Sequence, residues 1–152
     1  MGGYGAIRNG MKYNEIFGHV VAISPAIILS EIVGPEFRPT IQGATLGYYE
    51  SVFGDLETVT ERDTDVFWLS RKIKEDGANF PSIYIACGSN DVLVFESRRF
   101  HAHLTDLGVP HVYDEGPGTH DGLFFEPHLA AGFARLDLDR MPEMQNPLWV
   151  DS

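Results

Sequence analysis

Two short segments put a carboxylate and an imidazole where they could act together: Gly88-Ser89-Asn90-Asp91 and Gly116-Pro117-Gly118-Thr119-His120-Asp121. A carboxylate that holds an imidazole in one tautomer makes the other ring nitrogen a general base. That nitrogen can take a proton from a hydroxyl and return it to a leaving group. Each residue also has an ordinary use. An aspartate after Gly-Ser-Asn can cap a following helix by accepting backbone N–H bonds, and a histidine beside Gly and Pro is commonly an exposed loop residue. Taken singly, Asp91 reads as a cap. Taken together, the two read better as a catalytic pair, because of where the surrounding elements must put them.

Each motif falls just past an expected strand. Residues 19–24 (HVVAIS) and 82–87 (SIYIAC) are short runs rich in β-branched residues, and 111–114 is a weaker one. Their near-continuous apolar character predicts strands covered on both faces, as in a parallel sheet. Ligands bind an open parallel sheet at the carboxyl edge, where neighbouring strands lie only ~4.8 Å apart, so loops carrying Asp91 and His120 could meet. Between the second and third strands, Phe100, Leu104 and Leu107 follow a helical spacing that Gly108 stops, giving a βαβ unit over about residues 82–114.

A last helix is expected to begin near Glu126, with Pro127 in its first turn and Phe125, Leu129, Phe133 and Leu136 on its buried face. Residues 5–13 read as an opening helix with Ile7 and Met11 inward, and Gly2, Gly3, Gly5 and Ala6 allow close packing on a sheet. The stretch 25–81 is less regular, with an acidic run at 55–65 and one helix marked by Val66, Leu69 and Ile73. A connection of that length reads as a cap-like insertion. The tail after Asp139 is expected to be a loosely ordered extension. The domain reading is therefore one partial α/β domain over residues 1–140 and an extension over 141–152.

Lys and Arg number 11 against 22 Asp and Glu, a formal charge of −11 with no basic stripe to offset it. Nucleic acid and anionic membrane are poor partners for such a chain. Ten Phe and six Tyr within 43% hydrophobic content argue for a packed core, and no apolar run approaches the ~20 residues of a membrane span. One cysteine, Cys87, permits no intrachain disulfide. With no visible signal peptide, this gives the expectation of a cytoplasmic protein.

The chain opens Met1-Gly2-Gly3-Tyr4-Gly5-Ala6. This segment resembles the residues after the serine in the G-x-S-M-G-G-Y-G-A form of a nucleophile elbow, a sharp strand-to-helix turn that needs small neighbours. With FGHVVAISPA, IACGSNDVLVFESRRF and GPGTHDGLFF, the resemblance covers Met1 to about Leu136. It points to the esterase family of α/β-hydrolases that includes tributyrin, feruloyl and acetyl-xylan esterases, esterase D-like S-formylglutathione hydrolases and mycolyltransferases. The fold implied is the C-terminal half of an α/β-hydrolase, about three parallel strands with flanking helices. By that resemblance Asp91 matches the triad acid and His120 the general base. The serine would stand just before Met1, whose backbone N–H would serve the oxyanion hole.

The resemblance further implies a small-molecule ester as substrate and an acyl-enzyme mechanism without cofactor or metal. The chain by itself is expected to be inert by this route. Ser24, Ser89 and Cys87 are rejected as substitute nucleophiles. Ser24-Pro25-Ala26 lacks an elbow, Ser89 lies inside the acid's own loop, and Cys87 reads as a core thiol. His101 and His103, two apart on a helix, point to different faces, and His120 and His128 show no metal-ligand spacing. Tyr48, Tyr49, Phe67 and Trp68 could line an acyl pocket, with core packing the first expectation. An alternative of another class is a non-catalytic binding or assembly module. Without the other half of the sheet, an edge near residues 19–24 would be exposed, predicting homo-oligomers or association through that edge.

Overall fold

The computed structural model describes residues 1–33 and 44–136. Strands β1 (His19–Ile23), β2 (Ser82–Gly88) and β3 (His111–Gly116) form one parallel sheet in the order β1-β2-β3. The register pairs His19 with Ser82 at one end and Gly88 with Gly116 at the other. β2 lies between two neighbours and is buried from Ile83 to Gly88, which is why its sequence shows no polar alternation. β3 runs two residues past the expected end, because Glu115 and Gly116 continue the ladder opposite Cys87 and Gly88.

Period-two alternation separates two cores. Val20, Ala22, Ile83, Ile85 and Cys87 face one layer, while Tyr84 and Ala86, joined by Val21, Ile23 and Val112, face the other. The first layer holds α1 (Gly2–Lys12), α4 (Val66–Glu75) and α5 (Val94–Asp106), and the second holds α6 (Gly122–Phe133). α1 begins earlier than expected but buries Ile7 and Met11 as its spacing requires. Of its small residues, Gly3 and Gly10 are the ones the packing needs. A Cβ on Gly3 would lie 2.6 Å from the Ile23 carbonyl oxygen, and one on Gly10 would lie 2.2 Å from Val20. Gly2 and Gly5 face open space.

α5 buries Phe100 and Leu104 and ends in a Schellman turn. Gly108, at φ +67°, donates to the Thr105 carbonyl and Val109 to the Leu104 carbonyl, so Gly supplies the left-handed residue at no steric cost. The stretch predicted as an insertion contains α2 (Leu29–Ile32), α3 (Leu46–Phe53) and a 3-10 turn at Val59–Glu61 before α4. Tyr49 and Phe53 of α3 stack within the α1-side core, and Tyr4 meets Phe53 edge-on at 5.7 Å. Of the four aromatic residues considered for a pocket, Tyr49 is buried, Phe67 and Trp68 pack partly buried against the core, and Tyr48 is exposed.

α6 departs from expectation in start and in face. It begins at Gly122, capped by Asp121, so Pro127 is its sixth residue. The proline removes the N–H that would have reached the Leu123 carbonyl, and Leu123 is 90% exposed. Phe124 and Gly132 are buried, whereas Leu129 and Phe133 of the expected face are exposed. The reason is contact with the sheet: a Cβ on Gly132 would lie 2.5 Å from Val21 and 2.9 Å from Tyr84. The backbone of α6 therefore comes down at the glycine, and the helix rolls its larger apolar residues outward. The expected extension at 141–152 and part of the 25–81 stretch, residues 34–43, lie outside the described residues.

Candidate active site

The loops after β2 and β3 leave the same carboxyl edge of the sheet and are stitched together. Ser89 N–H donates to the Gly116 carbonyl at 2.8 Å, and Asn90 N–H donates to the Gly118 carbonyl at 3.0 Å. The approach is so close that a Cβ on Gly88 would lie 2.5 Å from the Gly118 oxygen, and a Cβ on Gly118 would lie 2.4 Å from the Phe124 ring. Glycine at both positions is what lets one loop rest on the other.

On this base the structure brings Asp91 and His120 together. Asp91 Oδ2 accepts from His120 Nδ1 at 2.9 Å, and Asp91 Oδ1 accepts from the Leu93 N–H at 2.9 Å. Each carboxylate oxygen thus has a partner, but Asp91 does not cap α5 as its sequence context allowed. The contact with Leu93 N–H is an Asx turn leading into α5, whose own cap position is Leu93. The Asp91 side chain is 0% exposed and that of His120 is 47% exposed. A carboxylate only accepts, so the contact places the imidazole proton on Nδ1 and leaves the Nε2 lone pair outward. Among the described residues Nε2 makes no hydrogen bond.

Sequence alone assigns no role to the further supports of His120. The edge of Phe125 meets its ring at 5.0 Å and 88°. Asp121 caps α6 by accepting from Leu123 N–H at 2.9 Å and Phe124 N–H at 3.2 Å, and it accepts from the Thr119 hydroxyl as well. The Thr119 hydroxyl, with these backbone amides, holds the Asp121 carboxyl below the usual aspartate range. The signal is present in the order Thr-His-Asp-Gly-Leu-Phe, a capping residue directly after the histidine. Pro127 draws attention away from it by placing the expected helix start four residues late.

None of the three rejected nucleophiles is set up to attack. Cys87 is buried at the end of β2, and burial pushes its thiol above its ordinary pKa. Ser24 is 1% exposed, with φ at +43° and its hydroxyl 3.9 Å from Cys87 Sγ. Ser89 is exposed in the acid's loop. A further Ser–His contact is present, Ser70 Oγ to His103 Nε2 at 2.8 Å, but Ser70 is fully buried between α4 and α5 and donates to the Phe67 carbonyl. His128 is turned into its own helix, where Nδ1 donates to the Phe124 carbonyl at 2.7 Å. His101 and His103 do face different neighbours: His101 meets His111, while His103 meets Ser70. Met1 is the exposed N-cap of α1, and its carbonyl accepts from Gly5 N–H.

A buried carboxylate behind a half-exposed imidazole, at the ligand-binding edge of a parallel sheet, is an arrangement able to accept and return a proton at Nε2. No family model matches the chain. It is 41% identical over 135 residues to an acetyl esterase of Caldicellulosiruptor saccharolyticus, a match covering 88% of this chain and 50% of that protein. Among solved structures, it is similar to the S-formylglutathione hydrolase of Staphylococcus aureus, with a TM-score of 0.67, 25% identity and coverage of 88% of this chain and 49% of the other. The fluorophosphonate-binding serine hydrolase F of the same organism shares the fold, with a TM-score of 0.70 at 24% identity over 88% and 49% of the two chains. The chain spans about half the length of the relatives it matches. The chain resembles esterases and serine hydrolases of the α/β-hydrolase kind, and its three parallel strands with their flanking helices match the C-terminal half of that fold.

Proposed function

We propose that this chain supplies the acid and the base of a serine carboxylesterase, with Asp91 and His120 in those roles. The nucleophilic serine would be contributed by the residues that precede Met1 in a longer polypeptide. The observation that carries the proposal is the 2.9 Å contact of His120 Nδ1 with the buried Asp91, which leaves Nε2 free to face a hydroxyl. His120 Nε2 would take the serine proton as the serine attacks the ester carbonyl. Asp91 would hold the tautomer and stabilise the imidazolium, and His120 would then pass the proton to the departing alcohol. In the second half, His120 would activate the water that releases the acid. The Met1 backbone N–H, one residue past the serine, would face the oxyanion. The substrate is a small-molecule ester, and the name of the acetyl esterase relative favours a short acyl group. The steps assigned to these residues need no cofactor or metal.

The test is to express the polypeptide with its in-frame upstream residues and measure hydrolysis of an aryl acetate. His120→Ala is expected to lower kcat by about 10⁶ and Asp91→Asn by about 10⁴. Full activity in either variant, or an upstream reading frame without a G-x-S segment, would refute the assignment.

A second reading, association through a sheet edge, is supported by β1. Its only strand neighbour among the described residues is β2, and Ile16 and Phe17 beside it are exposed. An edge of this kind recruits partners. The 152-residue chain by itself is expected to sediment as dimers or larger species, and a clean monomer with a cooperative melt would count against this reading.

A further inference from the structure

We propose that His101 and His111 form a binding site for one borderline divalent cation of the zinc, nickel or copper kind, seated between α5 and the first residue of β3. His111 Nδ1 lies 2.8 Å from the Val109 carbonyl oxygen. A carbonyl only accepts, so the proton is on Nδ1 and the Nε2 lone pair points away from the strand. It points at His101 Nδ1, 2.8 Å away. The His101 ring is in turn held flat against Tyr113, with centroids 4.6 Å apart and planes 11° from parallel.

Both imidazoles are therefore held in place, His111 from behind and His101 on its ring face. A backbone carbonyl behind one ring nitrogen is the support that metal-bound histidines commonly have, and here it stands behind His111. In the metal-free protein a single N–H bridges the two rings. A cation would take that place, with His101 carrying its hydrogen on the outer nitrogen instead. Two nitrogens bound tetrahedrally to zinc at 2.0–2.1 Å lie roughly 3.3 Å apart, so to receive the ion the rings part by about half an ångström and each tilts by roughly 35° to turn its lone pair onto it.

The surroundings suit the ion. Arg98, three residues earlier on α5, is committed to Glu115 by bonds of 2.9 and 2.6 Å. Both histidines are partly exposed, which leaves the remaining coordination positions to water. Among the described residues no group of three or more His, Cys, Asp and Glu is placed to hold a metal. The site is thus an open, exchangeable one rather than a closed structural centre. Its position gives it a consequence, because α5 and β3 are the elements that lead from Asp91 to His120, and an ion between them would pin one to the other.

The test is titration calorimetry of Zn²⁺, and separately Ni²⁺, into the full chain at about pH 7.5. One saturable site per chain is expected, weakened about tenfold or more by His101→Ala and equally by His111→Ala. His103→Gln, which alters a histidine facing Ser70, should leave it unchanged. Circular dichroism would establish that the variants are folded. On the unaltered protein, imidazole NMR signals should shift at His101 and His111 ahead of the other histidines. Absence of saturable binding up to about 1 mM, binding that survives in either alanine variant, or shifts led by another histidine would overturn the proposal.

Discussion

Asp91 and Asp65 are buried aspartates used in two ways. Asp91 divides its oxygens between Leu93 N–H and His120. Asp65 caps α4 by accepting from Phe67 N–H at 2.9 Å, in a site where burial holds its carboxyl above the usual range despite that bond and Arg71. Because the raised value favours the neutral form, ionised Asp65 costs the fold stability at neutral pH. Asp65→Asn should retain the cap and lose the buried charge, giving an unchanged or higher melting temperature. Asp65→Ala should lose the cap at about 1 kcal/mol, and thermal denaturation of the pair separates the two effects. At this scale the candidate site was legible. An acid and a histidine past consecutive strands had to be close once the strands were parallel neighbours. The supports of His120 were less so, since Phe125 reads as a core-facing residue of a helix and Asp121 as a bystander.

At the scale of elements, the contact of Gly88 with Gly118 is the most exacting feature. Gly88→Ala would put a methyl group onto a backbone carbonyl, which cannot move aside like a flexible side chain, so the β3–α6 loop must lift. Overpacking of this kind costs about 1–3 kcal/mol. We expect the His120 Nδ1 contact to lengthen with it, visible as loss of the downfield Nδ1 proton signal together with a lower melting temperature. β2 and α5 could be read from sequence because each has one dominant pattern. β2 is covered on both faces, and α5 pairs a helical stripe with a glycine stop. α6 could not, because Leu123, Phe124, Phe125, Leu129 and Phe133 leave little polar contrast around the helix. Its orientation is set by Gly132 meeting Val21 and Tyr84, a contact invisible without the sheet.

For the whole molecule, the excess of acid over base makes pH the informative variable. Asp63 is drawn upward by burial, but Lys12 and Arg8, each 2.6 Å away, outweigh that and leave it below the usual range. Glu115 is lowered chiefly by Arg98, and Asp121 chiefly by Thr119. Carboxylates lowered in the fold contribute stability above their unfolded values near pH 4, and that contribution is lost as pH falls through the lower folded values. Asp65 and Glu31, both raised first by burial, run the other way and are relieved on acidification. His101 and His103, both lowered first by burial, take up protons less readily in the fold than in the unfolded chain, so the melting temperature should begin to fall below about pH 6.5 and drop further below about pH 4. A melting temperature that stays level down to about pH 4 would count against the histidine contribution.

The two backbone bonds that tie Ser89 to Gly116 and Asn90 to Gly118 extend the β2–β3 ladder beyond the strands and into the loops themselves. Acid and base consequently share a frame that owes nothing to whatever lies across the open side of β1. For protein engineering this makes residues 82–121 a transplantable cassette. A chimera that moves the Asp91 loop alone would carry its aspartate into a mismatched cradle, whereas one that moves both loops with β2, α5 and β3 would bring the Asp91–His120 contact intact into another parallel sheet.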